Sequence, residues 1–82
     1  MEDVREKFVI RGKEYEISRE DILKKARELT PERVNHWFVE IEGKRFPVKQ
    51  IVCETLGIER IRITTADAVR ILEKLGFEPK RI

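Results

Sequence analysis

Between His36 and Gln50, in the stretch HWFVEIEGKRFPVKQ, the apolar spacing changes character, and that change constrains the fold more than any other feature. Trp37, Val39 and Ile41 alternate with Phe38, Glu40 and Glu42. This is the period-two pattern of a strand with one buried face. Glu42-Gly43-Lys44 supplies a tight turn, and Phe46 brings a short return strand back to the core. Pro47 then reads as the first residue of a helix, because its fixed φ suits that position. Val48, Ile51, Val52 and Leu56 form the helical stripe, and Gly57 follows as a left-handed terminator. A hairpin that runs straight into a helix is the expectation for this part of the chain.

The same grammar appears on both sides. Lys7–Ile10 and Glu14–Ile17 flank Arg11-Gly12-Lys13 as a second hairpin. Ser18-Arg19-Glu20-Asp21 is a capping-box variant, and Ile22, Leu23, Ala26 and Leu29 behind it predict a helix from Arg19 to Leu29. Thr30-Pro31-Glu32 is a further start signal with room for one turn at most. Ile58, Ile61 and Ile63 suggest a brief extended segment, with Arg62 alternating away from them. Thr64-Thr65-Ala66-Asp67 is another capping-box variant, and Ala68, Val69, Ile71, Leu72 and Leu75 make the third helix. Gly76 is its expected left-handed cap, with Phe77 folding back on Leu72. Phe77–Ile82 reads as a last strand, which Pro79 confines to an edge. Residues 1–6 are expected to fray. F-V-I-R-G-K-E-Y at 8–15 echoes F-V-E-I-E-G-K-R-F at 38–46 with a one-residue offset, which leaves duplication and shared hairpin grammar both open.

These elements predict an α+β fold: a small, mainly antiparallel sheet with about three helices packed on one face, in a single compact domain over residues 1–82. Charged residues make up 41% of the chain, against roughly 25% in a typical domain. With one Asn and one Gln, that is the composition of a heat-adapted protein. The net charge is +2, with nine basic and nine acidic residues in 1–35 and nine against seven in 36–82. A basic surface must therefore come from placement rather than bulk charge. Cys53 stands alone, which excludes a disulfide within the chain and suits a reducing compartment. The opening MEDVREKF carries no apolar signal core, and no apolar run approaches the ~20 residues that cross a bilayer. The expectation is a cytoplasmic protein without membrane association.

The residues give little support to catalysis or metal binding. Ser18 is explained as a helix cap. His36 has no Cys or Ser partner at a motif spacing and is expected at an exposed strand edge. Cys53 sits among apolar neighbours as a small apolar residue. One Cys and one His cannot build a closed zinc site, and no calcium loop or phosphate-cradling glycine loop is present. Glu40 and Glu42 read as a solvated strand face. The expectation is no enzyme, no metal and no cofactor.

The positive signal lies at Phe46-Pro47-Val48-Lys49. With Pro47 as first helical residue, Phe46 holds the cap position and offers no side-chain acceptor. A helix start without a cap attracts anions, and Lys44, Arg45 and Lys49 lie within one turn of it in sequence. A second basic group comprises Arg60, Arg62, Arg70 and Lys74, beside Thr64 and Thr65 at a helix start. The plainer alternatives are that water or an upstream side chain caps the second helix, and that Asp67 and Glu73 pair with the cations of the third. Trp37 and Phe38 point to opposite faces, so one belongs to the core and the other is available for a base or a partner, the plainer reading being that both pack in the core or against a helix.

Two strings resemble small prokaryotic modules that accompany McrA-type and HNH restriction nucleases, where such modules look like DNA readers. They are GKRFPVKQ at 43–50 and TTADAVRILEKLGF at 64–77, so the resemblance covers about residues 37–77. It implies a DNA-binding role, with Lys49 and Arg70 as the matched basic positions; no nuclease residues are present. Together these lines lead to a non-catalytic module for double-stranded DNA, preferred over RNA. Lys44, Arg45, Lys49, Arg62, Arg70 and Lys74 would contact phosphates, and Trp37 or Phe38 would lie near a base or groove. The alternative is a protein-interaction module: a homodimer or a small subunit of a larger complex.

Overall fold

A computed structural model describes residues 5–82. The chain runs β1 (Arg5–Ile10), β2 (Lys13–Ser18), α1 (Arg19–Glu28), β3 (Trp37–Ile41), β4 (Lys44–Pro47), α2 (Val48–Leu56), a 3-10 turn at Arg60–Arg62, α3 (Thr65–Lys74) and β5 (Lys80–Arg81). The fold is α+β. Its strands form two antiparallel sheets, β1-β2 and β4-β3-β5, where a single sheet was expected. The reason is local. Ser18 ends β2 and also caps α1, while Pro47 ends β4 and takes the position just before α2. Each hairpin thus passes directly into its own helix and packs through it.

Both hairpins close with two-residue turns. Ile10 pairs with Lys13 across Arg11 (φ +50°) and Gly12 (φ +79°), and Ile41 pairs with Lys44 across Glu42 (φ +50°) and Gly43 (φ +82°). Two successive positive φ angles make turns whose twist matches that of the strands, and glycine takes the second position without steric cost. In this shared register, 31 residues apart, Phe8 and Ile10 correspond to Val39 and Ile41, all four buried. The one-residue offset of the echo lies before the turn, since Phe8 and Phe38 are 30 apart and Gly12 and Gly43 are 31 apart; beyond it the units differ by two residues, with α1 beginning six residues after Lys13 and α2 four after Lys44.

α2 lies at the centre. It touches α1, α3, β2, β3 and β4, and buries Val48, Gln50, Ile51, Val52 and Cys53. Around it lie Ile17, Ile22, Phe46, Ala68, Ile71, Leu72 and Leu75, each at most 1% exposed. The capping boxes expected at Ser18/Asp21 and Thr64/Asp67 are both formed, with side-chain to backbone bonds in each direction. α3 ends as expected at Gly76 (φ +91°), where the Phe77 N–H donates to the Leu72 carbonyl at 3.0 Å.

Four expectations differ. Arg5 and Glu6 are paired with Ser18 and Ile17 rather than frayed; residues 1–4 of that expectation lie outside the described residues. Thr30-Pro31 starts no helix, because one turn repays too little of the nucleation cost and Gln50 holds the segment instead. Residues 60–62 form a 3-10 turn in place of an extended segment. Ile61 is consequently 73% exposed while Ile63 is buried. The last strand is limited to Lys80–Arg81 and pairs with Phe38 and Trp37 at the sheet edge, extended by one bond from the Ile82 N–H to the His36 carbonyl at 2.8 Å.

Candidate nucleic-acid interface

The start of α2 is built differently from those of α1 and α3. The other two have side-chain caps and acidic residues in the first turn. At α2 the cap position is Pro47, one residue later than the sequence suggests, with no side-chain cap and no acidic residue in the first turn. Phe46 is instead fully buried. Proline also lacks the N–H that a capping box would engage. The positive end of the helix dipole is therefore left without a compensating side chain.

This helix start opens on a groove of about 260 Å³, lined by Trp37, Lys49, Arg33, His36 and Thr65 together with the Glu32–Arg60 pair. Arg60 clamps the Glu32 carboxylate with both terminal guanidinium nitrogens. That hydrogen-bonded fork holds the Glu32 carboxyl below its ordinary range and raises Arg60. The pair neutralises itself, so Lys49 and Arg33 set the local sign.

Gln50 fixes the wall of the groove. It is 4% exposed. Its Oε1 accepts the Glu32 N–H at 2.9 Å, and its Nε2 donates to the Thr30 carbonyl at 3.0 Å. Sequence reasoning missed this role. The available signal is that the one Gln of the chain falls within the apolar stripe of α2, where an amide must find partners.

The remaining predicted contacts lie elsewhere. Cross-strand pairing sets Ile41 opposite Lys44, and Glu40 opposite Arg45. Since neighbouring strand residues face opposite ways, Lys44 and Arg45 diverge. Lys44 sits at the hairpin end, and Arg45 belongs to the outer face with Phe38 and Glu40. Arg45 lies 5.0 Å over the Phe38 ring and 3.9 Å from the Glu40 carboxylate. It shares a cleft of about 370 Å³ with Arg19, Phe77 and Lys80. Arg70 pairs with Asp67 at 3.1 Å, and Lys74 lies 5.9 Å over the Phe8 ring; both line a third groove, of about 190 Å³, against β1. Arg62 is exposed on the 3-10 turn and, like Lys44, lines none of these three depressions. Among the seven predicted residues, Trp37 and Lys49 meet in one groove and Arg70 and Lys74 in another.

Trp37 and Phe38 are both half-buried, and each serves a different depression, as their alternation requires. Cys53 is buried, and that burial pushes its thiol up, as suits an unreactive apolar residue. Among the described residues no three His, Cys, Asp or Glu side chains group to hold a metal ion, and no helix is long and apolar enough to cross a membrane.

A family profile, SCO5918-like, matches residues 6–81, which takes in both hairpins and all three helices. The chain belongs to the SCO5918-like family. The family match reaches beyond residues 37–77 at both ends, so β1, β2, α1 and β5 belong to the shared unit. No curated protein and no solved structure matches the chain.

Proposed function

We propose that the chain is a non-catalytic nucleic-acid-binding module, for DNA in the first place, whose contact centre is the groove at the start of α2. The observation that carries this reading is the helix start itself, with Pro47 at its cap position and no acidic residue in its first turn. There a phosphate would receive first-turn N–H groups and the charges of Lys49 and Arg33, with Trp37 beside it for an adjoining base or sugar. Lys44, Arg45 and Arg62 become peripheral in this proposal, because none of them lines the groove.

Fluorescence anisotropy with duplex DNA, single-stranded DNA and RNA of equal length, each at 50 and 200 mM salt, tests the reading. With two or three phosphates neutralised, log affinity should fall by roughly 2–3 units per log unit of salt on duplex, and somewhat less on single strands. Lys49→Glu should reduce that slope, whereas Lys44→Glu should leave it nearly unchanged. Binding that ignores salt, or that responds equally to both substitutions, would remove the groove as the contact centre.

A further inference from the structure

The third groove runs between β1 and α3 and is lined by Lys7, Phe8, Val9 and Ile10 on one side and by Asp67, Arg70, Ile71 and Lys74 on the other. Four consecutive strand residues point alternately to opposite faces. They line one groove together only through the edge of the strand. Among the described residues β1 pairs with β2 alone, so its second edge is without a strand partner.

The hairpin register identifies the backbone groups on that edge. Across a two-residue turn, Ile10 and Lys13 are the hydrogen-bonded pair, and alternation makes Phe8–Tyr15 and Glu6–Ile17 the next. The N–H and C=O groups of Lys7 and Val9 therefore turn away from β2 and into the groove. The side chains around them are of two kinds. Phe8, Ile10 and Ile71 are at most 9% exposed and give an apolar floor. Lys7 and Lys74 give two cations beside the Arg70–Asp67 ion pair, so the groove is positive by two charges.

We infer that the β1–α3 groove binds an extended acidic peptide segment of a partner protein, added antiparallel or parallel to β1 as a third strand. The unpaired backbone groups of Lys7 and Val9 supply the ladder, and the apolar floor takes alternate side chains. Lys7 and Lys74, with Arg70 exchanging Asp67 for a carboxylate of the peptide, select for acidic residues along the segment. A phosphate backbone would use the cations but would leave the strand edge and the floor unused, which favours the peptide. The site is separate from the α2 groove, and its occupant does not depend on the nucleic-acid reading.

The test is selection of a phage-displayed random ten-residue peptide library on the whole chain. The most enriched sequence is then synthesised and titrated by anisotropy. Enriched peptides should carry Asp or Glu at alternating positions, and Arg70→Glu and Lys74→Glu should each weaken the synthetic peptide at least tenfold. Val9→Pro removes an outward donor without touching the β1–β2 ladder and should weaken it similarly. Because that variant can disturb the strand, amide exchange in the unaltered chain is read as well: peptide should slow exchange at Lys7 and Val9. Lys49→Glu should leave peptide binding intact, which separates this result from that of the α2 groove.

Enrichment of neutral or basic peptides, or none, overturns the inference, as does unchanged exchange at Lys7 and Val9. So does a self-associated chain that Val9→Pro converts to monomer, since a second copy would then cover the edge. If duplex DNA displaces the peptide and its own binding is lost in Arg70→Glu, the groove is a phosphate site instead.

Discussion

Gln50 and Gly76 carry tertiary duties out of proportion to their size. Gln50→Leu keeps the volume but leaves the Glu32 N–H and the Thr30 carbonyl without their partner. Thr30 and Glu32 are themselves exposed, so the loss is that of a net hydrogen bond, about 0.5–1.5 kcal/mol each, and the denaturant midpoint should fall accordingly. The same change loosens residues 30–32, so Glu32 should lose its grip on Arg60 and any ligand affinity of the groove should drop with it. Gly76 is constrained twice. Its φ is +91°, and a Cβ there would stand 2.8 Å from the Nη1 of Arg19, which donates to the Gly76 carbonyl at 3.3 Å and stacks 4.7 Å over Phe77. Gly76→Ala should cost roughly 1–2 kcal/mol for the left-handed backbone alone. An Arg19→Ala background separates the two causes: the backbone share of the loss persists there, and the contact share disappears.

Helix starts divide the elements into two classes. α1 and α3 are closed by Ser18–Asp21 and Thr64–Asp67, and Ser18→Ala or Thr64→Ala should each cost about 1 kcal/mol in thermal or chemical unfolding. α2 has no such closure, and the role proposed for it rests on this distinction. Pro47→Asp would place a carboxylate acceptor at its cap position. The fold should be retained while nucleic-acid affinity falls about tenfold, the equivalent of ~1.4 kcal/mol and the upper range for one charge at a helix terminus. Unchanged affinity would mean that the helix start is not what the ligand meets. The hairpins, caps and αL endings were legible in the chain because each depends on residues within about one turn of one another. The 3-10 turn at 60–62 was not: Arg60 is drawn to Glu32, and Arg11 donates to the Ile61 carbonyl at 3.2 Å, contacts spanning 28 and 50 residues.

For the molecule as a whole, exposed ion pairs link distant segments. Arg27 holds Glu42 at 3.0 Å and ties α1 to the second hairpin, while Arg60 holds Glu32 beside the α2 groove. In both cases the arginine hydrogen bond keeps the carboxyl below its ordinary range. A carboxyl lowered on folding contributes stability above its unfolded pKa of about 4.3, and the contribution is lost as pH falls through the lower folded value. Melting temperature should therefore decline on acidification below that point. Glu32→Gln and Glu42→Gln should each reduce the decline, and added salt should weaken it because both pairs are exposed. A pH profile unaltered by both substitutions would place the acid sensitivity elsewhere.

The chain by itself determined where the two hairpins turn, where α1 and α3 begin and end, and most of the apolar residues that enter the core. Those outcomes follow from backbone sterics, short-range hydrogen bonds and periodic burial. Only the tertiary structure decided that the strands form two sheets, that Arg45 lies over Phe38, that Lys49 meets Trp37, and that Arg70 and Lys74 line a groove with β1. Apolar side chains leave a periodic trace because each must be buried. Surface charges carry no such requirement, so their grouping follows from how α2 seats the hairpins and α3 around itself.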